Sequence, residues 1–293
     1  MISIIVCSVD SILFDQLEKN IGETIGCDFE VIRMNNVNTG KGICQVYNEG
    51  LLKVKGSVVC FCHEDIIFET VNWGREIFSL LSNQEIGLVG IAGAVYKSQH
   101  PTSWVAVPKE YYRVNMIQKR KDGSEKSYTI LDENHLAFSE VSVLDGCFIA
   151  GRKCIFDLYR WNTNILKGFH IYDLDISMRV GVRYKIVIAN NIKITHYSEG
   201  DFDINWLKES EKFHNDFRKL FPINKLNISK NICRELDYFA FHTYITQLIT
   251  LQRSWSTVIK NLITAFTSYP IRKKNFSLLK LFLNKSLRRF KMH

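Results

Sequence analysis

The sequence predicts an α/β fold, in which a mostly parallel sheet is flanked by helices and followed by a helical C-terminal extension. The 293 residues are 46% hydrophobic and 12% aromatic, which is enough for a sizeable core and excludes disorder throughout the chain. Short apolar runs alternate with helical patterns over residues 2–92, as expected for an open parallel sheet. From residue 202 onward the pattern is helical.

The first part of the chain predicts alternating strands and helices. A strand is predicted where a short apolar, β-branched run is bounded by polar residues or glycine. A helix is predicted where apolar residues recur every three or four positions. In chain order these rules predict strand Ile2–Cys7, helix Ser11–Ile21, strand Phe29–Met34, helix Ile43–Val54, strand Ser57–Cys62, helix Trp73–Leu81 and strand Ile86–Ala92.

The middle of the chain is less regular. Tyr96–Glu140 contains prolines and a charged turn, and it predicts either a small antiparallel excursion or a loop over the site. Asp173 or Asp175 is placed to cap a helix over Asp173–Val180. We expect one domain over residues 1–220, completed by strands Tyr184–Ala189 and Ile192–His196, and a helical extension over residues 221–293.

The charge is divided unevenly along the chain. The net charge is +8, but ten basic and no acidic residues follow from Arg253 to the end, so the rest holds 28 basic against 30 acidic side chains. A nearly neutral body disfavours binding of nucleic acid, and no nucleic-acid partner is expected. The segment 275–291 is both apolar and basic. It predicts either an amphipathic helix on an anionic membrane surface or a helix packed on the domain with a solvated basic face.

The cysteines and the N-terminus bear on the cellular location. Eight scattered cysteines without a CxxC pair predict free, mostly buried thiols, as in a cytoplasmic protein. The first ten residues lack a basic region and a cleavage site, so they predict a strand and not a signal peptide. No apolar run is long enough to predict a membrane-spanning helix. We therefore expect a cytoplasmic protein, peripheral on the inner face of the membrane if its tail binds lipid.

Polar side chains gather at one predicted edge of the sheet. Ligands of open parallel sheets bind at the carboxyl ends of the strands, which places Ser8, Asn35, Asn36 and His63–Asp65 along one rim. A divalent cation that bridges phosphates needs one or two protein carboxylates. His63-Glu64-Asp65 therefore predicts a metal site, although a polar loop after a strand gives the same pattern.

Two later clusters offer further chemistry. Asp173 and Asp175 point in different directions at a helix start, so one can cap the helix while the other faces the cleft as a general base. Capping alone accounts equally well for the pair. His196 closes a predicted strand, where it either completes a metal site or serves a structural role. The basic candidates for contacting phosphate are Lys41, Arg152 and Lys153.

Six motifs follow one another in a set order over about residues 1–200. They are Ile2–Ser8, Tyr47–Gly50 with Lys55-Gly56, Phe61–Asp65, Asp145–Ala150, Gly168–Asp175 and Ile194–His196. This ordered set resembles the family 2 glycosyltransferases and their relatives with the GT-A fold. The likeness is closest to the bacterial branch whose metal motif begins with histidine.

The resemblance implies an inverting sugar transfer from a nucleotide-diphosphate donor to a hydroxyl of a glycan or lipid-linked acceptor, with Mn²⁺ or Mg²⁺ as cofactor. It implies Asp65 and His196 as metal ligands. It also implies Asp173 as the catalytic carboxylate, with Tyr172 in place of a usual glutamate. The other implied contacts are to the nucleotide, from Ser8, Asn35, Asn36, His63 and Glu64, and to the substrate, from Asp145, Gly146 and Asp175. Trp104 is a further candidate for a substrate contact, by stacking on an acceptor sugar, with packing in the core or a loop as the alternative.

Two other functions compete with this interpretation. A sugar nucleotidyltransferase would carry a glycine-rich, basic loop after the first strand, and Cys7–Asp10 is not such a loop. A non-catalytic binding protein attached to membrane or nucleic acid through its tail is the second alternative. In that case, replacing Asp173 would leave any transfer activity unchanged.

Overall fold

A computed structural model describes residues 1–132, 137–198, 200, 202–270 and 272–290. The strands of these ranges are β1 Ile2–Ser8, β2 Phe29–Asn35, β3 Val58–Cys62, β4 Ile66–Phe68, β5 Ile86–Gly90, β6 Ala92–Ala94, β7 Tyr112–Lys119, β8 Glu125–Ile130, β9 Phe138–Val141, β10 Val143–Leu144, β11 Phe148–Arg152, β12 Lys185–Ala189 and β13 Ile194–His196. The helices are α1 Ser11–Thr24, α2 Ile43–Leu51, α3 Trp73–Ser82, α4 Lys153–Leu158, α5 Tyr172–Val180, α6 Ile204–Asp216, α7 Lys230–Thr250, α8 Trp255–Ser268 and α9 Lys273–Phe290.

The larger sheet has the strand order β2-β1-β3-β11-β5-β12-β9 in the part of the chain that the structure describes. Five of these strands run in one direction, while β9 and β11 run against them. The register pairs Ser8 with Asn35, so the first two strands end at the same edge. The predicted α/β class with a mostly parallel sheet is therefore what the chain forms.

Both faces of this sheet are covered, which explains why its central strands are mostly apolar. Ile5 and Phe61 belong to one buried cluster, and Ile4 and Cys60 belong to the cluster on the other face. Successive side chains of a strand point to opposite faces, and in β3 and β5 every position is buried. The second face is covered by α1 and α3.

A second sheet has the order β10-β6-β7-β13-β4, with β8 paired to β7. The predicted strand Ile86–Ala92 is divided between the two sheets, because the chain leaves the first after Gly90 and joins the second at Ala92. A Cβ at Gly93 would lie 2.2 Å from the Val143 carbonyl oxygen, so β6 and β10 approach closely only because residue 93 is glycine. The hairpin β7–β8 is the antiparallel excursion that the sequence left open.

The helices after residue 221 join the core of the preceding domain. Buried side chains of α7, among them Leu236 and Ile245, belong to the same cluster as Ile5 and Phe61. Packing is thus continuous across the predicted boundary at residue 220. Among the described residues, no helix combines the length and apolar character that crossing a membrane requires.

Candidate functional site

Two histidines and one aspartate meet where β3 and β13 end. His63 follows β3, Asp65 lies in the turn before β4, and His196 is the last residue of β13. Antiparallel pairing sets His196 opposite Ile66, the residue after Asp65. Asp65 Oδ1 lies 3.8 Å from His63 Nδ1 and 3.5 Å from His196 Nε2. The three ligand atoms all lie within 4.8 Å of one another.

The donor atoms of this cluster fit a divalent cation. Asp65 Oδ1 and His196 Nε2 are buried and have no hydrogen-bond partner. Buried polar atoms without a partner are costly, and they are usually explained by water, an ion or function. Imidazole nitrogen and carboxylate oxygen are both common ligands of divalent metals. The residues present therefore suit the metal that the sequence implies.

The charge states of Asp65 and His63 suit metal binding, whereas His196 must release its proton when it binds a metal. Burial opposes ionisation of Asp65, but His196 and His63 outweigh it and lower the pKa of that carboxyl. Burial lowers the pKa of His63, so this imidazole is neutral at physiological pH. Burial would also lower the pKa of His196, but its interaction with Asp65, 3.5 Å away, raises it instead. An ionised aspartate and a neutral imidazole are the forms that ligate metals.

Tyr172 orients the first histidine. Its hydroxyl oxygen lies 2.7 Å from His63 Nε2 and 3.2 Å from the Gly146 carbonyl oxygen. Burial raises the pKa of Tyr172 well above its usual value, so the phenol keeps its proton. When the O–H donates to Gly146, the oxygen accepts from His63 Nε2–H, and this leaves the Nδ1 lone pair on the side of Asp65. Such outer contacts commonly fix the tautomer of a metal-binding histidine.

We expect Tyr172→Phe to weaken Mn²⁺ binding about tenfold, because His63 loses the partner that holds its ring and tautomer. Calorimetric titration of the purified protein with Mn²⁺ measures this directly. Tyr47→Phe is the matched control, since the Tyr47 hydroxyl is buried nearby without a hydrogen-bond partner. Equal Mn²⁺ affinity of Tyr172→Phe and wild type would show that the Tyr172 contact does not orient His63.

A cavity of about 260 Å³ joins the metal cluster to Asp173. His63, Asp145, Asp173 and His196 all line it. Burial, followed by the charge of Asp145, raises the pKa of Asp173 to about 7. A carboxylate with that pKa can accept a proton from a substrate near neutral pH. Asp173 thus shares this cavity with His63 and His196, while Asp65 lies beside the two histidines, within 3.8 Å of both.

The start of α5 differs from the prediction. Neither aspartate occupies the N-cap position, which is held by Ile171 with a left-handed φ of 66°. Asp173 nevertheless lies in the first turn, where its Oδ1 accepts from the Leu174 amide at 2.8 Å. Asp175, a predicted substrate contact, is fully buried and pairs with Arg179 at 2.5 Å and with Asn162 at 3.2 Å. Two positions along a helix correspond to a rotation of about 200° around its axis, so Asp175 points away from the cleft that Asp173 lines.

Asp145, Gly146 and Trp104 line the cavity, as a substrate contact must. Both oxygens of Asp145 already have partners, since Oδ2 accepts from Trp104 Nε1 at 2.7 Å and Oδ1 from the Cys147 amide at 2.8 Å. The carboxylate therefore holds the indole ring in the cavity wall. A Cβ at Gly146 would lie 2.1 Å from the Tyr172 hydroxyl, so glycine is what lets Tyr172 reach His63.

The residues predicted to contact the nucleotide lie at the edge of the sheet and do not line this cavity, His63 excepted. Glu64 accepts hydrogen bonds from the amides of Val9 and Asp10, so its carboxylate fixes the loop after β1. The buried Asn36 is also occupied within its own loop, where it donates to the Lys41 carbonyl. The remaining two are Ser8, which is buried and accepts from Arg33, and Asn35, which is exposed.

The basic residues considered as phosphate contacts are engaged elsewhere. Lys41 pairs with Glu49 at 2.7 Å. Arg152 donates to the carbonyls of Leu81 and Asn83, and its neighbour Lys153 pairs with Asp157. The bonds of Arg152 join residues 71 and 69 positions apart, and sequence composition does not reveal such contacts.

Several cavity residues escaped the sequence analysis. Phe169, Phe202 and Trp206 line the cavity together with Trp104, and Phe169 and Phe202 are exposed. Phe169 lies within the motif Gly168–Asp175, which also contains Asp173, and this position in the sequence could have identified it as a cavity residue. Lys97 also lines the cavity; it is buried and donates to His214 Nε2 at 2.9 Å and to two backbone carbonyls.

Comparison with protein families identifies the chain. The model of the Glycosyltransferase like family matches residues 3–219, so this protein belongs to that family. A comparison with curated protein sequences found no significant match. The predicted resemblance to family 2 glycosyltransferases is therefore confirmed.

Solved structures show the same fold at low sequence identity. The Pyrobaculum calidifontis mannosyltransferase PcManGT, in complex with GDP-Man and Mn²⁺, matches with TM-score 0.50 and 11% identity over 98% of this chain and 80% of that one. TarS 1-349 from S. aureus, in complex with UDP, matches with TM-score 0.52 and 11% identity over 97% and 88%. GalNAc-T7 with UDP, GalNAc and Mn²⁺ matches with TM-score 0.49 and 10% identity, and the match covers 92% of this chain but only 58% of that chain. The predicted GT-A-like fold is confirmed.

Proposed function

We propose that the protein is an inverting glycosyltransferase, which moves a sugar from a nucleotide-diphosphate donor to a hydroxyl acceptor. The observation that carries this proposal is that Asp173 lines the same cavity as His63 and His196, the two histidines of the cluster that Asp65 completes. Asp173 suits the role of a base for the acceptor hydroxyl, and the metal cluster suits the charged leaving group. Sugar transfer by a single displacement requires both.

Each side chain has a distinct part in the proposed reaction. Asp173 takes the proton from the acceptor hydroxyl as its oxygen attacks the anomeric carbon. Attack from the face opposite the leaving diphosphate inverts the configuration of that carbon. His63, Asp65 and His196 would hold the cation, which neutralises the charge developing on the nucleoside diphosphate. Two imidazole nitrogens in the donor set favour Mn²⁺ over Mg²⁺, which prefers oxygen ligands.

The walls of the cavity support a sugar acceptor. Trp104, Phe169 and Phe202 present aromatic surface there, which suits the apolar face of a sugar ring. The volume of about 260 Å³ is small for a whole nucleotide sugar. We therefore propose that the nucleotide extends along the sheet edge toward Asn35.

We also propose a glycan or lipid-linked precursor as acceptor, and a cytoplasmic location peripheral to the inner membrane face. The excess of basic residues after Arg253 supports this, because it would attract the anionic lipids of that face.

Release of nucleoside diphosphate from a panel of nucleotide sugars tests the reaction. We expect slow hydrolysis of one donor, faster with Mn²⁺ than with Mg²⁺ and abolished by a chelator. With an acceptor, NMR of the new glycosidic bond should show inverted anomeric configuration. No release from any donor with either metal would contradict the proposal. Formation of nucleotide sugar from sugar phosphate and nucleoside triphosphate would indicate a nucleotidyltransferase instead.

A further inference from the structure

The last two helices leave large apolar side chains uncovered. On α8, Ile259 and Ile263 are exposed one turn apart. The exposed fractions on α9 range from 38% for Leu279 to 64% for Phe276. Positions three and four apart share one face of a helix, so each set forms a line along its helix. We call these residues together the apolar stripe: Ile259, Ile263, Phe276, Leu279, Leu283 and Leu287.

The stripe belongs to helices that are already packed. Leu278 of α9 is buried in the core cluster, and Phe282 contacts Trp255 of α8 with ring centroids 5.2 Å apart. Phe266 and Phe276 are in contact at 5.4 Å, which joins the two lines where the helices meet. The two interpretations of the tail left open by the sequence are thus compatible, because α9 packs on one side and exposes apolar residues on another.

The two helices that carry the stripe contain charged residues of one sign only. Neither α8 nor α9 contains an acidic residue. Lys280 lies four residues after Phe276 and three before Leu283, so it shares their face. Where the side chains are described, the other basic residues of these two helices are Lys260, Lys273, Lys274 and Lys285. Lys291, the last basic residue of the segment 275–291, lies outside the described residues.

We propose that the apolar stripe is a membrane-docking surface, which inserts its leucine and isoleucine side chains between anionic lipids while the lysines contact the headgroups. Apolar residues beside a basic face are the pattern of helices that lie in the membrane interface. A second copy of the chain fits less well, because self-association would bring two basic faces together. The proposal does not depend on the transfer reaction, since the stripe contains no residue of the cavity.

Sedimentation of the full chain with vesicles tests the proposal. We expect binding to vesicles that contain phosphatidylglycerol, weaker binding at high salt, and little binding to pure phosphatidylcholine. The double variant Leu283→Glu with Leu287→Glu should bind at least about tenfold more weakly. Leu52→Glu with Leu158→Glu is the matched control, because both leucines are exposed but lie outside the stripe. Leu52 follows α2, and Leu158 is the last residue of α4. Circular dichroism checks that each variant is folded.

Each outcome decides the matter. Loss of binding in the stripe variant, with wild-type binding in the control variant, supports the docking surface. Absence of wild-type binding, or equal loss in both variants, overturns it. Light scattering measures the molar mass of both proteins in solution. If the wild type is a dimer without vesicle binding and the stripe variant is a monomer, the stripe binds a second copy of this chain.

Discussion

Asp65→Asn is expected to remove Mn²⁺ binding and to reduce kcat/KM roughly a thousandfold. Asp65 lies between the two histidines of the cluster, and the neutral amide would leave the cation with two neutral imidazoles and no negatively charged ligand. A metal at a departing phosphate contributes several kcal/mol of transition-state stabilisation, and about 1.4 kcal/mol corresponds to a factor of ten. Calorimetric titration with Mn²⁺ and steady-state kinetics with the active donor measure the two losses separately.

Glu64→Gln is the matched control for that experiment. It removes the same charge from the adjacent residue, but the Glu64 carboxylate binds the amides of Val9 and Asp10 and is not part of the cluster. We expect nearly wild-type Mn²⁺ affinity. Equal loss of affinity in both variants would mean that the total negative charge near the site, and not coordination by Asp65, attracts the metal.

Asp173→Asn should reduce kcat by about 10²- to 10⁴-fold while Mn²⁺ and donor binding persist, because general base catalysis contributes about that factor. The side chain keeps its size and its place at the start of α5. Donor affinity measured by fluorescence and turnover measured by nucleoside diphosphate release separate the two effects. Wild-type turnover in this variant would exclude the proposed base and favour a non-catalytic protein.

The pH dependence gives a second test of the same residue. A base whose pKa is raised to about 7 is protonated at lower pH, so kcat/KM should rise with pH toward neutrality. A bound cation lowers that pKa, which places the midpoint at or below about 7. Asp145→Asn should shift the midpoint further down, because the Asp145 charge contributes to the raised value. Metal must be saturating at each pH, since protonated histidines would release it.

Much of the α/β core was predictable from the sequence because strands buried on both faces leave an unmistakable apolar pattern. The run through Phe61 and Cys62, followed at once by His63, marks both a strand and its functional end. The strand Phe148–Arg152 was not predicted as one that enters the sheet against its neighbours. Strand order depends on contacts between distant residues, and a local pattern contains no information about them.

The site was predictable in its residue types and less so in its contacts. Asp173 and His196 belong to the motifs that the sequence singled out, and both line the cavity. The hydrogen bond between Tyr172 and His63 joins residues 109 apart, and the ion pair of Asp175 depends on which side of α5 it occupies. Such contacts follow from tertiary packing, which spacing along the chain does not determine.

The pairing of β13 with β4 ties the metal cluster to the integrity of the second sheet. His196 reaches Asp65 only because that short strand pair is in register. An ion held by both residues therefore cross-links two segments about 130 positions apart, and its binding free energy adds to the free energy of unfolding. At a hundred times the dissociation constant this linkage is worth about 2.7 kcal/mol. A low concentration of the ion would thus lower the free energy of unfolding as well as the catalytic activity.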